Sequence, residues 1–402
     1  MSNTQKNIPE LRFPGFEDEW EANVLGEVVY VYDGTHQTPK YTSEGIKFLS
    51  VENIETLDSD KYISKEAFEK EFKIRPEFGD ILMTRIGNIG TPNIVKSNED
   101  FAYYVSLALL KPKCINSYFL KTLILSPFIQ NELWRKTLHV AFPKKINKNE
   151  IAKVLINYPT FNEQEKIGYF FSKLDRHIEL EEKKLELLEQ QKRGYMQKIF
   201  SQELRFKDEN GNEYPEWKNT KLRNVIKLQN GYAFKSNLFT EKGIPIIRIT
   251  DINKTLVSEG TVYYPRNINI DEKFIINKND ILIAMSGATT GKLGKYMSDT
   301  SSYLNQRIGK FVMKNKTNND FLFAYLNSIY FKKELIKLLV SGAQPNISSQ
   351  DIENIELSLP DPEEQRKIGI FLSNFDKFIQ KQSIKIEQLK QRKKGLLQKM
   401  FV

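Results

Sequence analysis

The chain has one cysteine, Cys114, in 402 residues, so it can hold no disulfide framework of its own, and a reducing compartment suits it. Its three histidines, His36, His139 and His177, are scattered, and with a single cysteine they give no zinc-ligand spacing. No run approaches the roughly 18 apolar residues that cross a bilayer. The most apolar patches, such as Ile281-Leu-Ile-Ala-Met285, are strand-sized, and the segment Met1–Glu10 lacks the apolar core of a signal peptide. A soluble, cytoplasmic protein with no membrane association is expected. Catalytic signatures are missing too. Gly287-Ala-Thr-Thr-Gly-Lys292 resembles a phosphate loop, but three residues separate its glycines where a Walker A loop has four, and Leu293 stands where Ser or Thr is needed. Acid-x-Lys triplets such as Glu71-Phe-Lys73 arise by chance when 28% of residues are charged. No Asn-Pro-Pro-aromatic segment of the adenine methyltransferase kind is present. The expectation is a chain with no catalytic residue, no metal site and no cofactor.

The formal charge is +9, and its location is informative. Residues 363–402 carry ten Lys/Arg against four Asp/Glu, whereas residues 163–200 carry eight of each. Those two stretches belong to a repeat, which is sought before anything else. Pro159–Phe200 aligns without a gap on Pro360–Phe401 at an offset of 201, with 19 of 42 positions identical. Upstream, Lys145–Ile151 answers Asn346–Ile352, Gly79–Leu82 answers Asn279–Leu282, Gly45–Leu49 answers Gly243–Ile247, Glu19-Trp20 answers Glu216-Trp217, and Glu10–Phe13 answers Glu203–Phe206. The chain is one cassette written twice, each copy a globular part of about 140 residues followed by a helix of about 40.

The pattern divides the chain into a first globular domain at 1–158, a first long helix at 159–202, a polar linker at 203–216, a second globular domain at 217–359 and a second long helix at 360–402. The class is α+β. In the mixed globular halves, strands are expected over Ile46–Val51 and Pro245–Ile249, and over Asp80–Thr84 and Asp280–Met285. Helices are expected over Ser117–Leu125, Pro127–Leu138, Asp320–Asn327 and Tyr330–Val340, with Pro127 suited to a first helical position.

Both long helices carry an apolar seam at 3-4 spacing: Leu174, Ile178, Glu181, Leu185, Leu188, Lys192 and Tyr195 in the first, and Phe375, Ile379, Gln382, Ile386, Leu389, Lys393 and Leu396 in the second. Each seam is broken twice by a polar residue at equivalent places. The expected arrangement is an intramolecular antiparallel coiled coil with pseudo-twofold symmetry. Matching the breaks sets the register: when facing residue numbers sum to 574, Glu181 meets Lys393, Gln382 meets Lys192 and Leu185 meets Leu389. A shift of one heptad sets Glu181 or Lys192 against apolar neighbours, at a cost of roughly 1–3 kcal/mol for each unsatisfied group. The alternative is that each seam packs only on its own half. About 27 paired residues at ~1.5 Å each make a ~40 Å spacer, close to one turn of DNA at about 34–36 Å.

Several segments resemble type I restriction–modification specificity subunits. Gly342-Ala-Gln-Pro-Asn-Ile-Ser-Ser-Gln-Asp-Ile352, with Leu359-Pro360 and Glu364-Gln-Arg-Lys-Ile368, is similar to the end of a target-recognition domain and the start of its helix. Asp280-Ile-Leu-Ile-Ala-Met-Ser-Gly-Ala-Thr-Thr-Gly-Lys292 and the terminal Gly395-Leu-Leu-Gln-Lys-Met-Phe401 match the family as well. The first half departs from the pattern, with Arg85-Ile-Gly-Asn-Ile-Gly90 in place of the Ser-Gly-Ala-Thr-Thr-Gly loop. The resemblance implies two target-recognition domains separated by the two helices, each domain reading one part of a split target in double-stranded DNA. It also implies two docked methyltransferase subunits that bind S-adenosylmethionine, and two restriction/translocase subunits that use ATP and Mg2+. The chain itself is then a non-catalytic recognition subunit. A coiled-coil assembly scaffold with incidental DNA contact is the alternative.

Base reading needs Arg, Lys, Asn and Gln in a groove, and phosphate positioning needs cations and hydroxyls. Candidate DNA contacts in the first half are Arg85, Asn88, Lys96, Tyr103, Tyr104, His139, Lys144 and Lys145. In the second half they are Lys292, Lys295, Tyr303, Asn305, Gln306, Arg307, Gln344 and Asn346. Arg85 and Gln306 are the choices for base edges, Lys96 and Lys144 for phosphates.

Overall fold

Short apolar runs bounded by Gly, Asn and Asp become strands of two to six residues in a computed structural model that describes residues 7–37, 39–253, 255–314, 316–340 and 346–402. In the first half, Val29–Asp33, Leu107–Pro112, Ile81–Thr84 and Pro92–Ile94 form an antiparallel sheet in that order. The second half repeats it as Ile226–Asn230, Ile308–Met313, Ile281–Ala284 and Leu293–Tyr296, and then adds Leu256–Val257 and Ile252–Asn253. A mixed four-stranded sheet accompanies each, built around Ile46–Leu49 beside Phe101–Tyr103 and around Ile244–Ile247 beside Ser302–Leu304.

The central strands explain their own composition. Ile81–Thr84 and Ile281–Ala284 are buried along their whole length. Ile81 and Met83 face a core with Trp20 and Phe119, while Leu82 faces another with Phe48 and Phe68. Ile281 and Ile283 divide from Leu282 and Ala284 in the same way. A strand with period-2 side chains and apolar partners on both faces reads as an unbroken hydrophobic run.

The short helices run Ser117–Leu125, Pro127–Arg135, Asn319–Asn327 and Ile329–Val340, each within a few residues of the sequence expectation. Side-chain oxygens of Asn116, Ser126, Asn318 and Ser328 accept from amides of their first turns, and Pro127 takes the first helical position. The second helix stops three residues earlier than its apolar pattern suggests because Leu138 bonds Lys145 across a loop instead.

Long helices occupy Phe161–Phe200 and Pro362–Lys399. The chain forms two compact units, one holding residues up to Lys183 together with Ser383–Val402, the other Lys184–Gln382. Each unit therefore contains a globular half, the start of its own long helix and the end of the other one.

The repeated Glu-Gln-x-Lys-Ile-Gly motif locks each helix start to its half. Glu163 is fully buried and accepts two 2.7 Å bonds from Arg12; Glu364 is equally buried and accepts from Arg205 at 2.8 Å and from the Trp217 indole at 3.0 Å. Gln164 takes the Asn116 amide and gives its own NH2 to the Pro159 carbonyl, and Gln365 does the same with Asn318 and Pro360. Gly168 and Gly369 let the short helices approach: a Cβ on either would lie 2.7 Å from the Phe119 nitrogen or 2.9 Å from the Phe321 nitrogen.

The long helices pair antiparallel in each unit, but not in the register that the seam breaks suggest. In the first unit Lys393 pairs with Asp175 at 2.6 Å, Lys385 with Glu181 and Lys390 with Glu182. In the second, Lys192 pairs with Asp376, and the Tyr195 ring meets Phe371 and Phe375 at 5.2 and 5.6 Å. The four pairs 181/385, 175/393, 192/376 and 182/390 sum to 566, 568, 568 and 572, all below the expected 574. Two physical reasons account for the shift. The long lysines of the seam reach Asp175 and Asp376 beside it, so they need no partner directly opposite. The helix ends are also anchored: Phe401 packs on Trp20, Phe119 and Phe171, and Phe200 on Trp217, Phe321 and Tyr325. Burying a phenylalanine contributes about 1.5–3 kcal/mol, more than a part-exposed ion pair at about 0–1. Of the seam residues, Ile178, Gln382 and Ile386 are buried; Leu174, Glu181, Leu185, Leu188, Lys192, Phe375, Ile379, Leu389, Lys393 and Leu396 are half-buried; Tyr195 is exposed on one side.

Candidate nucleic-acid interface

Both halves build the same loop edge where the central strand ends. The Arg85 amide donates to the Ser106 carbonyl at 2.9 Å, and the Arg85 carbonyl accepts from Ile146 at 3.0 Å. Met285 makes the equivalent bonds to Arg307 and Ile347, also at 2.9 and 3.0 Å. Three segments thereby meet in each half: the glycine hairpin that follows the central strand, the turn that precedes Leu107 or Ile308, and the segment that leads into Ile146 or Ile347. The hairpins turn on Gly87 and Gly90, with φ of 78° and 89°, and on Gly287 and Gly291, with φ of 82° and 86°. The two hairpins close by the same bond, from Gly90 to the Thr84 carbonyl and from Gly291 to the Ala284 carbonyl, the second being one residue longer.

In the first half this edge gathers Asn88, His139, Lys144 and Lys145, all exposed. The Gly87 amide donates to the Lys144 carbonyl at 2.8 Å, Ile86 bridges Lys145, and the Leu138 amide donates to the Lys145 carbonyl. Lys144 lies over the Trp134 ring with its Nζ 4.3 Å from the centroid, and the His139 ring is 4.3 Å from the same indole. Trp134 escapes sequence reading because its place in an apolar helical pattern suggests packing; the adjoining Arg135 and Lys136 are the signal that this face meets solvent and charge.

The other first-half candidates lie elsewhere. Arg85 is buried, with its guanidinium bonded to Asp33 and to the Ile146 carbonyl. It occupies the place that Met285 fills in the second half, so its group is committed inside the fold and is not offered to a base edge. Tyr103 is buried against Phe72, and its hydroxyl is pushed above the usual tyrosine range by that burial. Tyr104 is half-buried beside Phe48. Lys96 is exposed and lines a polar cleft together with Lys121, Asp175, Arg176 and Glu179, away from the glycine hairpin. Burial lowers the Lys121 ammonium pKa there, and Lys96 and Lys393 lower it further.

In the second half, Asn305, Gln306 and Arg307 form the turn, with the Gln306 amide donating to Tyr232 at 2.9 Å and the side chains of Gln306 and Arg307 exposed. Asn346 is exposed next to Ile347, and Lys292 is exposed at the end of the hairpin. Tyr232, which was not among the candidates, stands by this turn with Phe234 and Phe274 at 5.0 and 5.3 Å. Lys295 is half-buried, paired with Asp320 at 2.6 Å and lying over Phe323. Tyr303 is buried and stacked on Phe234, and its pKa is raised by burial. Lys295 and Tyr303 are thus held within the fold, while Gln344 lies outside the described residues. Among the described residues no cluster of His, Cys, Asp and Glu could hold a metal ion, and no helix is long and apolar enough to cross a membrane.

Comparison with known proteins agrees with this duplicated plan. Residues 17–190 and 214–391 each match the type I restriction modification DNA specificity domain. The chain is 31% identical over 264 residues to the type I restriction enzyme MjaVIII specificity subunit of Methanocaldococcus jannaschii, covering 63% of this chain and 62% of that protein. It is 25% identical to the putative type I restriction enzyme MjaX specificity subunit of the same organism, covering 98% and 95%. Its fold is similar to that of the crystal structure of a type I restriction–modification S subunit from M. genitalium, with TM-score 0.65, 16% identity and coverage of 98% and 99%. Two matched domains spanning most of the sequence place this chain in the family of type I restriction–modification specificity subunits.

Proposed function

We propose that this chain reads a bipartite target in double-stranded DNA, one part with each half, and itself carries out no chemistry. The observation that supports this most is the pairing of one backbone plan with two dissimilar sets of exposed side chains. The first edge offers Asn88, His139, Lys144 and Lys145; the second offers Lys292, Gln306, Arg307 and Asn346. An assembly scaffold has no need of two different polar surfaces on one frame, whereas a reader of two different sequences does.

On this reading the partition stays as the repeat suggests: recognition domains at 1–158 and 217–359, spacer helices at 159–202 and 360–402, and a linker at 203–216. The spacer helices carry two methyltransferase subunits, and two restriction/translocase subunits join through them. S-adenosylmethionine, ATP and magnesium belong to those partners, and the complex works in the cytoplasm. Exposed apolar side chains support docking on the helices: Tyr169, Leu180 and Leu187 on the first, Ile370, Phe378 and Ile384 on the second.

The test is a footprint of the chain with its methyltransferase subunits on genomic fragments. Two protected patches separated by an unprotected spacer are expected. A coiled-coil scaffold with incidental DNA contact would leave no footprint and would overturn the reading.

A further inference from the structure

The loop between Leu138 and Lys145 places two large apolar side chains in water at its tip. Val140 and Phe142 are fully exposed, although burying such side chains would gain about 1.5–3 kcal/mol each. The base of the loop is held firmly. Leu138 bonds Lys145, Lys145 bridges Ile86, the Lys144 carbonyl accepts from Gly87, and the His139 Nε2 lies 3.0 Å from the Trp134 carbonyl. The segment itself carries one sign of charge: residues 134–148 include Arg135, Lys136, Lys144, Lys145 and Lys148 and no Asp or Glu, with Glu132 beyond its edge paired to Arg135. An apolar tip inside a cationic collar does not suit an oily protein patch or an acidic surface alone. It suits a polyanion that hides an apolar group behind its charges, which is double-stranded DNA.

We infer that Phe142, with Val140, reads the 5-methyl group of a thymine in the first part of the target. In the major groove the thymine methyl is the apolar feature of the base edges, and a β-ribbon or narrow loop can reach it. Asn88 and His139 stand at the same edge to supply hydrogen bonds to neighbouring bases. In the minor groove no base edge presents a methyl, so an apolar side chain there acts by wedging between base pairs. Where the first loop reads Ala141-Phe-Pro143, the second cassette reads Ala343-Gln-Pro345. In sequence, allowing for one residue fewer before the following isoleucine in the second cassette, an amide replaces the ring, which is the exchange expected when one half reads a methyl and the other a hydrogen-bonding edge. This inference rests on the DNA-reading function proposed above.

The experiment uses the full chain with its methyltransferase subunits on duplexes carrying the target found by methylome mapping. Each thymine of the first part is replaced in turn by uracil, which removes the methyl and nothing else. One position should weaken wild-type binding about fourfold, and Phe142→Ala should weaken binding roughly tenfold. The variant should then be indifferent to uracil at that position, while Phe142→Leu keeps the preference. Wild-type affinity in Phe142→Ala, or a uracil effect that persists undiminished in it, overturns the inference. So does brightening of a 2-aminopurine beside the contact, which reports a wedge. If wild-type complex fails to protect the target at all, it is the DNA-reading function that fails.

Discussion

Arg85 and Met285 occupy one place in two copies of one frame. Each carries the amide and the carbonyl that tie the turn and the incoming segment to the end of the central strand. Met285 fills its place as part of an apolar core, whereas Arg85 fills it with a guanidinium held by Asp33. Similar differences recur where the frame meets its surroundings. Trp217 donates its indole N–H to Glu364, whereas the Trp20 indole nitrogen is buried with no partner among the described residues. The pairs that hold the helices do not differ: Glu163 and Glu364, Gln164 and Gln365, Gly168 and Gly369, Asp175 and Asp376, Lys192 and Lys393 are identical. Duplication has kept the residues that set helix geometry and released those at the loop edge, as expected when each copy must place a different surface on the same support.

The largest way to strain this comparison is to remove the buried carboxylates. Glu364→Ala leaves Trp217 without its acceptor and Arg205 with only the Tyr214 and Pro215 carbonyls, and should destabilise the second unit by about 3–5 kcal/mol. Glu163→Ala should cost the first unit less, because Trp20 makes no bond to Glu163 that could be lost. Hydrogen exchange resolved by segment checks which unit loosens, and equal losses would undo the asymmetry. A smaller effect is expected from Arg85→Met, which copies the second half into the first. It leaves the part-exposed Asp33 with only His36, 3.9 Å away, at a cost of about 1–3 kcal/mol in denaturant unfolding. The methylated sequence should not change, whereas an altered sequence would return Arg85 to the base-reading set. The smallest effect is that of Lys144→Ala on the equilibrium fold, which should be within about 0.5 kcal/mol. Its binding should weaken for all sequences alike, with a salt slope shallower by about one.

Much of the frame is legible in the sequence because it is written in periodicity. The 201-residue repeat, the 3-4 seams and the short runs of strand length mark the elements to within a few residues. The register of the coil is not legible from the seam alone, because it is decided by Phe200 and Phe401 in the globular cores and by Asp175 and Asp376 beside the seam. The candidate edge is legible in part. Asn88, Lys144, Gln306 and Arg307 are polar residues in turn-rich segments and come to the surface there. Arg85, Tyr103, Lys295 and Tyr303 look the same in sequence, yet each is engaged by a residue distant along the chain, such as Asp33 for Arg85 and Asp320 for Lys295. Trp134 and Phe142 are not legible as surface residues, because an aromatic in an apolar setting reads as core.

Methylome mapping of cells carrying paired variants tests the central claim, that two copies of one frame read two separate parts of one target. Phe142→Ala should relax or abolish recognition in one part of the methylated motif alone, and a joint Gln306→Ala and Arg307→Ala variant in the other part alone. If both variants altered the same part, or if the wild-type motif were continuous and not split, the account would be contradicted.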